Sequence, residues 1–266
     1  MASGVLLLMF FTAFPFVWMT ATAFKRSNEI FITPPTLLPK TITFENVARL
    51  FAETRFTGYL ANSVTVASAT VLLTLAIAIP GAYALTRLRW RGRQAIARTV
   101  LFTYMFAPIM VIIPFYVMMR ALELTNTRTG LVLAYTGLCL PFALWLLRSF
   151  FQSIPLDLEE AAFIDGASRR QAVWHVVLPL AAPGVVATGT FTFILAWNDY
   201  VFARVLLAAD ELKTLPVGIA DLYNASVVDW GMIMSAGMLV LLPVLVVFMF
   251  IQKYLVAGWG SGGIKG

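Results

Sequence analysis

Six apolar stretches recur along this chain of 266 residues, and each is close to the roughly 20 residues a helix needs to cross a bilayer. They run from Val5 to Phe24, Ala61 to Leu85, Val100 to Met119, Gly130 to Leu147, Pro183 to Val201 and Met232 to Ile251. A soluble domain has no use for so much continuous apolar sequence. With 60% hydrophobic and only 12% charged residues, the composition agrees. The expectation is an all-α integral membrane protein, six spans in a single domain covering 1–266.

The loops set its orientation. Arg87, Arg89, Arg91, Arg93 and Arg98 follow the second span with no acidic residue among them, which marks that side as cytoplasmic. Six spans then put both termini in the cytoplasm. The first run resembles a secretion signal through Ala21-Thr22-Ala23, but it is long for one and no basic residue precedes it, so it reads as a membrane helix. The polar loop from Lys25 to Tyr59 begins extended at Pro34, Pro35 and Pro39. It continues as a short amphipathic helix capped by Thr43, with Phe44, Val47, Ala48 and Phe51 on the face turned to the membrane surface. Ser63, Thr65, Ser68, Thr70 and Thr74 suit close packing of the second span, and Pro80-Gly81 suits a kink.

One charged, helix-patterned segment lies between two apolar ones, from Ser153 to Leu180. Asp157 with Glu160 has capping-box spacing, and Ser168 with Gln171 repeats it. Gly166 between them suits a left-handed turn. The expected form is helix, glycine turn, helix, running through Trp174 to Pro179. The first helix is about two turns long and cannot stand alone in water, so it requires a docking surface.

Here Glu160-Ala161-Ala162, Gly166 and then Val176-Val177-Leu178-Pro179, with Asp165-Gly166-Ala167-Ser168 inside, resemble the EAA loop of binding-protein-dependent ABC importer permeases. Trp197-Asn198-Asp199 and the tail from Tyr254 to Gly266 resemble the carbohydrate, MalG-like branch. The resemblance covers nearly the whole chain. Val176, where the family usually has isoleucine, is a mild departure. So is the lack of basic residues before the first span, which points to a native start upstream. The resemblance implies a type I importer bundle in the bacterial inner membrane, working by alternating access. It implies a sister permease as heterodimer partner, two ABC ATPase subunits and an extracytoplasmic solute-binding protein. ATP and magnesium would bind the ATPase subunits; this chain would bind no cofactor and would not be an enzyme. Glu160, Ala161, Ala162, Asp165, Gly166 and Pro179 would couple it to an ATPase subunit. The loop from Arg204 to Gly231, with Tyr223 and Asn224, would meet the binding protein. The solute would be a sugar or oligosaccharide, with a glycerol phosphodiester or polyol as the alternative.

Other chemistries find little support. The closing Gly260-Ser261-Gly262-Gly263 lacks the strand and helix of a phosphate-binding loop. His175 is the only histidine and Cys139 the only cysteine, so a clustered metal site and an internal disulfide are not expected. The excess of basic residues sits in one loop between spans and is no nucleic-acid signature. A membrane enzyme would need a polar catalytic cluster deep in the bundle, and a stand-alone transporter would need charges at the midplane. Asn198 and Asp199 close the fifth span near the outer interface. They either line the solute path, with Trp197 stacking on a sugar ring, or bond to a neighbouring helix within an aromatic belt.

Overall fold

Two prolines decide where the apolar runs break. In the computed structural model, which describes residues 2–105 and 107–260, all regular structure is helical. The order is α1 (Ala2–Ala23), α2 (Ser27–Ile30), α3 (Glu45–Glu53), α4 (Phe56–Arg87), α5 (Arg93–Thr103), α6 (Pro108–Ala121), α7 (Arg128–Ser153) and α8 (Asp157–Ile164). There follow α9 (Arg169–Ala172), a π turn (Val173–Val177), α10 (Leu178–Leu180), α11 (Ala182–Asn198) and α12 (Val201–Leu206). A 3₁₀ turn (Asp210–Leu212), α13 (Leu215–Tyr223) and α14 (Trp230–Gly260) complete the order.

Four helices are long and apolar enough to cross a membrane: Ser3–Ala23, Phe56–Arg87, Arg128–Ser153 and Trp230–Met249. Two bent pairs bring the number to six when each is taken as one span. The third span carries Pro108 and Pro114 and breaks at the first of them, between Thr103 and Pro108, where α5 meets α6 at 102°. Pro108 disfavours helix at the residue before it, and Ala107 is extended there (φ −61, ψ 131). A second bend, of 77°, falls at Ala181 between Arg169–Leu180 and α11, just before the expected fifth span, with Pro183 in the first turn of α11. Continuous helix from Pro179 to Asn198 is therefore not found. The 17 residues of α11 give about 26 Å. Pro15, Pro80, Pro114, Pro141 and Pro243 all lie inside helices that continue past them.

The chain divides into two compact units, 1–62 with 209–246, and 63–208 with 247–266. In the first unit, α3 turns a second face inward and leaves the expected apolar face uncovered. Asn46 and Leu50 are fully buried, whereas Phe44 and Phe51 are exposed. The Asn46 side chain decides this: its Nδ2 donates to the carbonyls of Ala23 (3.0 Å) and Lys25 (2.7 Å), satisfying backbone groups where α1 ends. Thr43 Oγ1 accepts from the Glu45 amide (3.2 Å), but the helix starts at Glu45 without a side-chain cap.

The second unit is built on a core of Ala78, Ala82 and Tyr83 from α4, Ala143, Leu147 and Phe151 from α7, Ile154, and Val177 and Ala181. Helices α4 and α7 thus enclose both ends of the segment between α7 and α11. Gly184 lets α11 approach α7, because a Cβ there would lie 2.3 Å from the Phe150 ring.

Candidate functional site

The α8 segment starts differently from expectation. Leu156 is the N-cap residue, with helical backbone (φ −64, ψ −33) and no side-chain bond, so Asp157 lies within the first turn and forms no capping box with Glu160. The amides of Glu159 and Glu160 reach the Leu156 carbonyl instead (2.9 and 3.1 Å). The second capping box does form: Ser168 Oγ accepts from the Gln171 amide (3.4 Å), and Gln171 Oε1 accepts from the Ser168 amide (2.8 Å). Gly166 between the helices has φ +87, and the Ala167 amide closes the α8 end onto the Ala162 carbonyl (2.9 Å).

The return limb holds a π turn that the sequence reading missed. The Leu178 amide bonds the Val173 carbonyl five residues back. Pro179 follows at once, and a proline cannot donate to the carbonyl four residues before it. The turn takes up that defect without ending the helix. The bend into the span then falls at Ala181, not at Pro179, which is exposed. His175 Nδ1 lies 3.0 Å from the Gln171 carbonyl on an exposed face. Among the described residues no cluster of His, Cys, Asp and Glu could hold a metal ion.

Glu160, Ala161, Asp165 and Gly166 are exposed and Ala162 is half-buried. Beside them Leu158, Phe163 and Ile164 present apolar surface, Ile164 at 86% exposure. Glu159 is the exception. It is buried, with Oε1 2.5 Å from Arg87 Nε and Oε2 accepting from Tyr83 Oη at 3.0 Å. Nothing local marked this residue. The only signal was complementary charge: one arginine at the last turn of α4, and an acidic run at the start of α8.

A cavity of about 770 Å³ opens between α6, α7 and α11, lined by Phe115, Leu138, Phe191, Leu195, Asn198 and Asp199 among others. Of the two alternatives for Asp199, the bond to a neighbouring helix is present, and the residue also borders the cavity. Its Oδ1 accepts from Tyr135 Oη (2.8 Å) and from the amides of Phe202 (3.0 Å) and Ala203 (3.2 Å). Asn198 is exposed. Trp197 does not share the site: it is 1% exposed and stacks on Phe193 at 5.3 Å.

The loop from Arg204 to Gly231 carries α13 and an ordered charge network within its own unit. Lys213 Nζ bridges Asp210 (2.8 Å) and Asp221 (2.6 Å), Tyr59 Oη donates to Asp210, and Arg49 pairs with Asp229 (2.7 Å). Hydrogen bonds to Asp210 and Asp221 hold the Lys213 ammonium above its ordinary range, and Lys213 in turn holds the Asp210 carboxyl below its own. These charges fold the loop. Tyr223 and Asn224 remain exposed at its tip, with Tyr223 edge-on to Trp230. The end of the MalG-like tail, residues 261–266, lies outside the described residues.

A helical bundle with a short amphipathic hairpin between spans is a form shared by known proteins. The family described as binding-protein-dependent transport system inner membrane component matches residues 76–260. The chain belongs to this family. It is the transmembrane permease subunit of an ABC importer, a multi-pass protein of the inner membrane. The inner membrane ABC transporter permease protein YcjP of Escherichia coli is 35% identical over 99% of this chain and 95% of its own length. The trehalose/maltose transport system permease protein MalG of Thermococcus litoralis is also 35% identical, with the same coverage. The diacetylchitobiose uptake system permease protein DasC of Streptomyces coelicolor is 35% identical over 95% of this chain and 92% of its own. Among solved structures, a chain of a bacterial ABC transporter involved in import of the acidic polysaccharide alginate superposes with TM-score 0.84 at 28% identity, over 95% of this permease and 94% of that chain.

Proposed function

We propose that this permease carries a sugar or oligosaccharide, delivered by an extracytoplasmic binding protein and driven by separate ATPase subunits. Support for the substrate class comes from relatives named for trehalose, maltose and diacetylchitobiose. A cavity with aromatic and apolar walls and an amide and carboxylate at one end is a chemistry that accepts sugar rings. The observation that carries the mechanism is α8. It leaves apolar side chains uncovered on a helix held by buried groups to the spans around it.

In this reading α8 seats in a cleft of one ATPase subunit, through Leu158, Phe163 and Ile164 with Glu160 at the margin. Ala161 and Ala162 allow close approach, and Gly166 and Asp165 shape the turn. The sister permease supplies the facing half of the translocation path, as a heterodimer. ATP and magnesium act on the ATPase subunits, whose closure moves α8 and opens the bundle outward; hydrolysis resets it. Both termini and the loops 87–98 and 153–180 are cytoplasmic, and the tip at Tyr223 and Asn224 reaches the binding protein.

Two experiments test this. The cognate binding protein, screened against mono- and oligosaccharides, polyols and glycerol phosphodiesters by thermal shift, should be stabilised by a sugar; stabilisation only by a phosphodiester would move the substrate class. Phe163→Cys should cross-link to an ATPase subunit in the assembled importer, and the absence of any such product would overturn the docking of α8.

A further inference from the structure

The α8 hairpin is attached to the bundle at three places. Two are covalent, through Ile154-Pro155-Leu156 to α7 and through the π turn and α10 into α11. The third is the buried set around Glu159. Arg87 and Tyr83 lie one turn apart on the same face of α4, and each takes a different oxygen of the Glu159 carboxylate. Arg87 Nη2 also donates to the carbonyl of Ile154, the residue that ends α7, at 2.8 Å. The side chains of Arg87 and Glu159 are 7% and 4% exposed. Tyr83 and Ile154 belong to the same core cluster as Leu147, Phe151 and Val177. A carboxylate held by an ion pair at one oxygen and a hydrogen bond at the other, both from one helix, cannot slide along that helix without breaking both contacts.

A buried ion pair seldom adds net stability over apolar residues of similar volume, because removing both charges from water offsets their attraction. What it does specify is register. Any other placement of α8 would leave Arg87 and Glu159 buried and unpaired. Three other arginines of the run, Arg89, Arg91 and Arg98, are exposed, and the half-buried Arg93 donates, among the described residues, only to the nearby Leu88 carbonyl.

We infer that Arg87 and Glu159 are positioning residues that lock α8 to the end of α4, so that motion of α8 enters the bundle through α4 as well as through the chain connections to α7 and α11. The inference rests on the reading of α8 as the ATPase-coupled helix. The device turns a short helix that is otherwise tethered through glycine and proline into one rigid body with a span. Without it, α8 could tilt on the π turn while the spans stayed in place.

The test uses the assembled importer with Cys139→Ala as background. Spin labels at Arg89→Cys, two residues past the end of α4, and Asp157→Cys report the distance between that end and α8. That distance should be the same in the nucleotide-free and the ATP–vanadate-trapped complex; a shift between the two states overturns the inference. Thiol labelling of Asn198→Cys reports whether the cavity responds to ATP, with no need to know the solute. In Arg87→Met/Glu159→Leu the response should shrink by about tenfold while the ATPase subunits still co-purify and thermal stability holds. An undiminished response would equally overturn it. Should the double variant not assemble, the label distance in the intact pair decides alone. Failure of the docking reading is distinguishable, because it abolishes the Phe163→Cys cross-link whatever the distance between α4 and α8.

Discussion

Tyr135 of α7 donates its hydroxyl to Asp199 at the end of α11, and the same carboxylate oxygen receives the first free amides of α12. One side chain thereby holds three helices beside the cavity. Its acceptor atom matters for the fold, and its charge matters for whatever enters the cavity. Asp199→Ala should leave the buried Tyr135 hydroxyl and the amides unsatisfied, destabilising the subunit by about 1–3 kcal/mol. Asp199→Asn retains one acceptor oxygen and should assemble normally. Thermal unfolding of the purified complex separates the two, and solute uptake by Asp199→Asn then reads the charge alone. Equal destabilisation by both variants would show that the charge itself is structural.

The placement of the α8 segment is testable without substrate. Cys139 is buried, so the native chain gives a quiet background for thiol reagents. Arg91→Cys and Ser168→Cys, both at exposed positions, should resist impermeant reagents added outside intact cells and react once the cells are opened. Ready labelling from outside would invert the topology.

The loop tip gives a third expectation. Ala225, Ser226 and Val227 are exposed beyond the end of α13, whereas Lys213 with its two carboxylates lies at the base. Trimming 222–227 should leave the network in place and weaken the stimulation of ATP hydrolysis by loaded binding protein. Unchanged stimulation would assign the tip to solvent.

The network at the base has a defined pH window. The Asp210 carboxyl is held below its ordinary value of 3.8, so its contribution is present above that value and lost as pH falls through the lower, folded one. The Lys213 ammonium is held above its ordinary 10.5, so its contribution is full below that value and lost as pH rises through the folded one. Asp210 is nearly half exposed, so each contact is worth at most about 1 kcal/mol after solvent screening. Proteolysis at the tip should therefore be flat from about pH 5 to about pH 9 and rise only outside that range. A step near neutrality would point to a different titrating group.

These residues also show what a sequence carries and what it does not. The apolar runs, the Ser168–Gln171 cap and the turn at Gly166 were legible because each depends on neighbours within a few positions. Pro108 and Pro183 were visible too, yet the size of a bend depends on what packs against it, and an unbroken hydropathy run hides that. Asp157 has the right chemistry for a cap, but the chain enters α8 already helical at Leu156, so the carboxylate falls one position late. The outer, apolar face of α3 was legible, but its inner face was not, because Asn46 is buried to satisfy the end of α1 more than 20 positions away. Arg87 and Glu159 were least legible. They lie 72 positions apart in sequence, and only packing picks out one arginine from its run and one glutamate from its pair.

Gly166 gives the sharpest expectation, because the cause of any defect there can be isolated. A Cβ at this position would meet nothing within 4 Å, so the subunit itself offers no steric objection to a side chain. What remains is the backbone at φ +87, which costs most residues about 1–2 kcal/mol and asparagine less. Gly166→Asn should therefore keep the turn between α8 and α9, and Gly166→Leu should strain it. If only the turn matters, the asparagine variant retains uptake and the leucine variant loses it while still reaching the membrane. If an ATPase subunit packs directly over the glycine, both variants lose uptake, and the loss of co-purifying ATPase subunits should grow with side-chain volume. A Gly166→Leu complex with full assembly, stimulated hydrolysis and normal uptake would refute any part for this turn in coupling, and with it the assignment of α8 as the helix through which ATP drives the bundle.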